Sequence, residues 1–356
     1  MRERGRTPTV RIVPPRVVER GGVLARATRT TANTFSRAFD KIQAAVEHVI
    51  QGKPDVVRLA IVALVAEGHI LIEDVPGVGK TMLAKALARA MHCSFRRIQF
   101  TPDLLPTDIT GVRVWTRDRR GFEFRQGPIF AQIVLGDEIN RASPKTQAAL
   151  LESMEENQVT LDGETFELER PFMVIATQNP IEHEGTYPLP EAELDRFLMR
   201  LRVGYPDPDS EVDILSVHGM PGRIDEIQPV ASAADVRKLI GVARAIHVAD
   251  SIKTYIVALL NSTRTHPDAA LGCSPRAGLM LMRASRALAA SEGRDYVIPD
   301  DVKLLAVPVL THRIIPTPEA QLSGTLATEI VNEGLESTPV PRASGRQGAA
   351  VRPARG

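Results

Sequence analysis

Apolar residues at Phe35, Phe39, Ile42, Val46 and Val49 recur every three or four positions and predict an amphipathic helix over roughly 32–50. A second helix is predicted from about Asp55 to Glu67, with Gly68 as its C-terminal cap. The pattern then changes. His69-Ile70-Leu71-Ile72-Glu73 reads as a short buried strand, Asp74 to Thr81 as a loop, and Met82 to Met91 as a helix. Further strands are predicted at Arg97 to Phe100, Ile133 to Gly136, Phe172 to Thr177 and Met199 to Val203. Ser143-Pro144 supplies the cap and first helical position of a helix running to Glu156. Strands separated by helices predict a mainly parallel sheet covered on both faces.

Two stretches break the alternation. Val112 to Trp115 and Phe122 to Arg125 flank a polar turn. Gln158 to Leu161 and Thr165 to Leu168 flank Asp162-Gly163, a strong hairpin signal. Two inserted β-hairpins are expected, at about 111–126 and 158–170, both with polar tips. Beyond the hinge Tyr205-Pro206-Asp207-Pro208 the periodicity is helical, near 209–218, 232–246, 250–265, 276–291 and 299–307, with no strand expected. The expected organisation is a tail (1–31), an α/β core (32–206), a smaller helical domain (207–335) and a second tail (336–356).

Composition narrows the function classes. The 356 residues allow two or three domains. The longest apolar run, Leu59 to Ala66, falls far short of a membrane span, and the first residues lack the apolar core of a secretory signal. A cytoplasmic protein is expected. Two cysteines, Cys93 and Cys273, exclude a disulfide scaffold and read as packing residues. The net charge of +1 hides a division: residues 1–30 carry +6, residues 336–356 carry +3, and the intervening 305 residues carry −8. That acidic body, with only 4% aromatic residues, argues against a nucleic-acid surface. The tails lack periodicity and read as disordered.

The strongest chemical signal is Asp74-Val75-Pro76-Gly77-Val78-Gly79-Lys80-Thr81. It matches the phosphate-loop pattern except at the first position, where Asp74 stands for Gly. Asp tolerates left-handed backbone, so a similar turn is expected there. Gly77 and Gly79 leave N–H groups free to face phosphate, and the following helix points its N-terminus at the same anion. The pattern gives Lys80 the β- and γ-phosphates and Thr81 the magnesium. The expected nucleotide contacts are Pro76, Gly77, Val78, Gly79, Lys80, Thr81 and Met82.

Ile133 to Gly136 ends in Asp137 and Glu138, on a strand expected beside the first. In a phosphate-loop NTPase the first carboxylate holds magnesium and the second polarises the attacking water. Gln178-Asn179-Pro180 follows another strand, where Asn179 either positions that water or simply forms a turn. Arg196 precedes the last strand, either functional or ion-paired with Asp195. Ser274-Pro275-Arg276 opens a helix whose dipole disfavours a cation, so Arg276 calls for an anionic partner unless it stands there by chance. Arg113, Arg117, Arg119, Arg120 and Arg125 cluster on the first hairpin as a solvated loop or a contact surface.

Taken in order, GVGKT, LGDEINRA, ATQNP, LDRF and SPR resemble the AAA+ ATPases, and the run from Asp137 to Glu152 resembles the MoxR group specifically. The resemblance covers about residues 33–335. It implies a three-layer αβα core with a parallel sheet and a C-terminal α-helical lid. It implies ATP with Mg2+ as cofactor, Asn179 as first sensor, Arg276 as second sensor, and Arg196 as an arginine finger acting on the neighbouring subunit. It further implies a homo-oligomer, a hexameric ring, and chaperone-like remodelling of a protein client such as a von Willebrand factor A domain protein. Relatives sharing these hairpins include helicases, so a nucleic-acid motor is the alternative. A nucleotide-gated assembly platform without turnover is a third reading. A sigma-54-type activator would carry a GAFTGA-like loop, which is lacking here.

Overall fold

The computed structural model describes residues 28–116, 121–179, 185–205, 208, 211–212 and 223–341. Most of the expected helix at 209–218, Pro206 and Asp207 of the hinge, the tip of the first hairpin and most of both tails lie outside the described residues.

Helix α1 spans Arg29–Glu47, capped by the Thr28 hydroxyl, which accepts from Thr31 N–H at 3.3 Å. The tail expected to reach residue 31 therefore gives way to helix three residues early. Helix α2 follows at Pro54–Val65 and leads into strand β1 at Ile70–Glu73. Between them the left-handed residue is Glu67 (φ 54°), not the expected Gly68. Gly68 is needed for another reason: a Cβ there would lie 2.4 Å from the Leu198 side chain. The glycine lets α2 turn tightly against the strand that follows Leu198.

Next come α3 (Lys80–Ala90), β2 (Phe95–Gln99), the short α4 (Pro106–Thr110), the hairpin β3 (Gly111–Thr116) and β4 (Gly121–Gln126), and β5 (Ile133–Asp137). Helix α5 (Pro144–Glu156), capped by Ser143 as expected, precedes the hairpin β6 (Gln158–Leu161) and β7 (Glu164–Glu167). The core closes with β8 (Met173–Gln178), the one-turn α6 (Glu191–Leu194) and β9 (Met199–Leu201).

Five of these strands form one sheet in the order β2-β5-β8-β1-β9, all parallel. The strand carrying Asp137 is thus not beside β1 as expected; β8 lies between them. Successive side chains alternate between the two faces. Ile70, Ile72, Ile133, Leu135 and Ile175 pack with Phe35, Ile61 and Leu83 of α1, α2 and α3. Leu71, Val134, Val174 and Ala176 pack with Leu150 and Leu151 of α5. Burial on both sides explains why these strands read as apolar runs.

The C-terminal region contains helices Ala233–Ala245, Asp250–Thr265, Pro275–Ser291 and Pro299–Leu310, close to expectation, and ends on Pro318–Ser323 and Ala327–Ser337. The last helix enters the stretch expected to be tail. One expectation fails outright: Ala269–Leu271 pairs antiparallel with Ile315–Pro316, so the lid holds a small two-stranded sheet. Its hydrophobic cluster is also continuous with that of the core, running from Ile70 and Leu83 through Leu259 and Leu281 to Val302. Among the described residues, no helix is long and apolar enough to cross a membrane.

Candidate functional site

The C-terminal end of the sheet gathers the phosphate loop and the acidic pair. Gly77 and Gly79 hold φ values of 88° and 89°, which only glycine adopts without strain, and a Cβ on either would meet nothing within 4 Å. The loop is therefore an open cradle of backbone N–H groups. Helix α3 starts directly from it, with Gly79 as a cap that offers no side chain. The first N–H groups of that 11-residue helix face the cradle. Pro76, Gly77 and Met82 are exposed, while Val78, Gly79, Lys80 and Thr81 are half-buried.

The expected left-handed turn at Asp74 is absent, since its φ is not positive. Its carboxylate instead accepts from Val75 N–H at 2.8 Å and from Gly204 N–H at 2.6 Å. Lys80 Nζ donates to the Asp74 carbonyl at 2.7 Å. Partial burial holds the Lys80 ammonium below its ordinary pKa, and Asp74, Asp137 and Glu138 act in the opposite direction. The cation thus lies in electrostatic reach of the acidic pair across the intervening strand.

Asp137 ends β5, and Glu138 takes a left-handed conformation (φ 59°) at the start of a 3₁₀ turn, Ile139–Arg141. Thr177, on β8, joins the two. Its hydroxyl accepts from Glu138 N–H at 2.9 Å and donates to Asp137 Oδ1 at 2.6 Å. Asp137 Oδ2 accepts from Arg97 Nη2 at 2.6 Å and Nε at 3.1 Å, and Glu138 Oε2 accepts from Gln99 Nε2 at 2.9 Å. Arg141 lies 3.4 Å from the same Glu138 oxygen. Thr177, Arg97 and Gln99 were not singled out from sequence. They carry no motif and become visible only once β2, β5 and β8 are aligned. Asn179 follows β8 directly, buried, at the strand end between the loop and Asp137.

The residues fit a magnesium nucleotide. The open glycine cradle suits phosphate, and the Asp137 carboxylate with the Thr81 hydroxyl forms a hard oxygen donor set of the kind magnesium takes. Arg97 pairs with the Asp137 carboxylate at 2.6 Å.

Arg196 and Arg276 lie elsewhere, at the opposite end of the same sheet. Arg196 does not pair with Asp195; its Nε is 3.6 Å from Glu155 Oε2. Arg276 Nη1 is 3.1 Å from Oε1 of the same carboxylate. Glu155 follows Met154, whose carbonyl accepts from His69 Nε2 at 3.0 Å, and His69 immediately precedes β1. His69 Nδ1 accepts from Val174 N–H at 2.9 Å, so the ring is neutral. Burial, with Arg283 and Arg276 nearby, lowers its pKa to about 4 despite the opposing bond to Met154. Asp195 instead accepts from buried Arg313 Nε at 2.7 Å and from the helix-capping Ser274 hydroxyl at 3.3 Å. These contacts join the segment before β9 to the lid.

The hairpins also meet. Phe124 stacks on Phe166 with centroids 4.3 Å apart, and Arg113 pairs with Asp162 and Glu164. The Asp162-Gly163 turn has φ values of 50° and 81°, the signature of the expected hairpin. The polar tip expected for the first hairpin lies outside the described residues. Trp115 (54% exposed) and Phe122 (67%) pair edge-to-face at 5.2 Å beside its tip.

Comparison with known proteins agrees with this geometry. Residues 69–199 match the ATPase family associated with various cellular activities (AAA), and residues 261–333 match the AAA lid domain. The chain is 42% identical over 341 residues to Chaperone MoxR1 of Mycobacterium tuberculosis, covering 92% of this chain and 89% of that one. It is 31% identical over 330 residues to Protein MoxR of Paracoccus denitrificans, covering 86% and 97%. A crystal structure from Cytophaga hutchinsonii superposes with a TM-score of 0.82 at 36% identity, covering 87% of this chain and 97% of that one. With likeness of this extent running through both the core and the lid, the chain belongs to the MoxR group of AAA+ ATPases, enzymes that hydrolyse ATP.

Proposed function

We propose that the chain works as a ring, hexameric in the reading favoured here, whose subunits bind Mg-ATP and couple its hydrolysis to remodelling or activating a protein client. In this reading the stretch from Pro76 to Met82 holds the phosphates, with Lys80 on the β- and γ-groups. Thr81 and Asp137 hold magnesium, Glu138 polarises the attacking water and Asn179 orients it. Magnesium supplies charge neutralisation at the transferred phosphoryl when bound. Gln99 and Arg141 hold the Glu138 carboxylate in place for that role.

The observation that carries the ring is the position of the arginines. Arg196 and Arg276 share Glu155 at the end of the sheet remote from this chain's own phosphate loop. Both guanidiniums lean on Glu155, with Glu193 also in electrostatic reach of Arg196, and the pair is placed to receive an anion from outside the subunit. The γ-phosphate of an adjacent subunit fits that place. The resemblance assigns Arg276 as second sensor, and its place beside Arg196 supports the same trans role for it.

A protein client is favoured because the body carries −8, because a relative bears the name chaperone, and because the hairpin presents exposed Trp115 and Phe122. A von Willebrand factor A domain partner is the client class the family resemblance suggests. The test is a pulldown with Glu138→Gln held in ATP, which stalls before hydrolysis. A protein retained only with ATP is the expected result. Nuclease-sensitive retention of DNA or RNA would overturn the client reading.

A further inference from the structure

Asp74 occupies the one phosphate-loop position that departs from the motif, and its side chain does something a glycine could not. It is 9% exposed, and its two carboxylate oxygens accept from two different segments: Val75 N–H within the loop and Gly204 N–H beyond β9. Its own N–H donates to the Gln178 carbonyl at 3.2 Å and its carbonyl accepts from Lys80 Nζ at 2.7 Å, so all its polar groups are engaged. Gly204 is the last turn before the chain leaves the core for the lid, in a left-handed conformation (φ 66°). The same strap is held from its other side. Lys53 Nζ, at the start of α2, donates to the Tyr205 carbonyl at 2.6 Å. Residues 204–205 are thus clamped between the phosphate loop and the α1–α2 junction.

We propose that Asp74 is a positioning residue that ties the phosphate loop to the core–lid strap at Gly204, so that nucleotide in the loop is felt by the lid. The proposal rests on the assignment of residues 74–81 to the phosphates. The mechanism is a shared acceptor. Phosphate draws Lys80 Nζ and the loop N–H groups toward itself, which moves the Asp74 backbone. The buried carboxylate then carries Gly204 with it, because a charged acceptor holds its donors more strongly than a neutral one. The lid in turn grips Asp195, next to Arg196, through Arg313 and Ser274. Nucleotide at one end of the sheet is thereby connected to the arginine at the other.

The test is to restore the motif. Asp74→Gly keeps a phosphate loop of the usual sequence but removes the tie. In the full chain, a non-hydrolysable ATP analogue is expected to slow hydrogen exchange at residues 203–205 of the wild type. Asp74→Gly should bind the analogue with no such change, and kcat should fall on the order of tenfold with KM nearly constant. Asp74→Asn keeps one acceptor and should recover part of both responses. A wild-type exchange response and kcat in Asp74→Gly would overturn the proposal. So would loss of nucleotide binding by that variant, since Asp74 would then serve the loop alone. If Asp74→Gly does not fold, wild-type exchange and kcat in Asp74→Asn overturn it. Retained nucleotide binding by Lys80→Ala would instead sink the assignment of the loop.

Discussion

The two ends of the central sheet are built on opposite principles. At the C-terminal end the catalytic groups are satisfied within the chain. Asp137 is held by Thr177 and Arg97, Glu138 by Thr177, Gln99 and Arg141, and Lys80 by the Asp74 carbonyl. At the N-terminal end Arg196 and Arg276 both pair with Glu155, the carboxylate within ion-pair distance of each among the described residues. The first end is a complete binding site that only substrate rearranges. The second is proposed to take its anion from a neighbouring subunit. In the proposed ring, a single subunit holds the binding machinery and a neighbour supplies the arginines needed for hydrolysis.

Variants at the two ends should therefore fail in different ways. The largest effect is expected for Lys80→Ala, which should abolish nucleotide binding, measured with a fluorescent ATP analogue. Arg196→Ala should bind nucleotide like the wild type yet turn over about 10³–10⁵ times more slowly, the range of a trans arginine in GTPases. Equal loss of binding in the two variants would erase the contrast between the ends. Glu138→Gln, at the complete end, should also bind normally and lose about 10²–10⁴ in kcat. Wild-type turnover there would remove Glu138 from its role. Thr177→Val deletes the hydroxyl that bridges Asp137 and Glu138 while keeping shape. A fall of about tenfold in kcat, recovered by Thr177→Ser, is expected, in line with one lost charge-assisted hydrogen bond.

The N-terminal end should also set an acid limit on stability. His69 has a folded pKa of about 4, below its ordinary 6.5, so the unfolded chain binds a proton first. Stability is fully present above pH 6.5 and falls as the pH drops toward 4, by up to about 3 kcal/mol. Urea midpoints across that range should show the slope, and His69→Gln should make it shallower, the remainder coming from His312, whose pKa burial also lowers. An unchanged slope in the variant would assign the acid sensitivity elsewhere.

How much of this was readable beforehand follows the same division. Strand, loop and helix around Lys80, the acidic end of β5, the Ser143-Pro144 cap and both hairpins are local patterns, set within a dozen residues of chain. They fall where periodicity and turn chemistry place them. What escaped is non-local. The insertion of β8 between β1 and β5 depends on which strands pair, and period-2 burial says only that each is central. Thr177, Arg97 and Gln99 become site residues only through that strand order. Glu155 looked like any acid near a helix end. Gly68 reads as a cap because glycine favours the end of a helix, whereas Glu67 carries the left-handed turn and the close approach of Leu198, 130 residues away, leaves no local trace. Asp74 looked like a defective glycine because Gly204 is equally distant in sequence.

The central claim is that the two ends meet across a subunit boundary. It is tested by mixing. Arg196→Ala/Arg276→Ala lacks both guanidiniums but keeps an intact phosphate loop; Lys80→Ala lacks the loop lysine but keeps both arginines. Each should be nearly inactive alone. Mixed in equal amounts under conditions that exchange subunits, they should regain a substantial fraction of wild-type ATPase activity, because an intact loop then faces intact arginines. No recovery in a mixture shown by light scattering to form mixed assemblies would contradict the account. Recovery with Arg196→Ala alone but not with the double variant would return Arg276 to its own subunit's site.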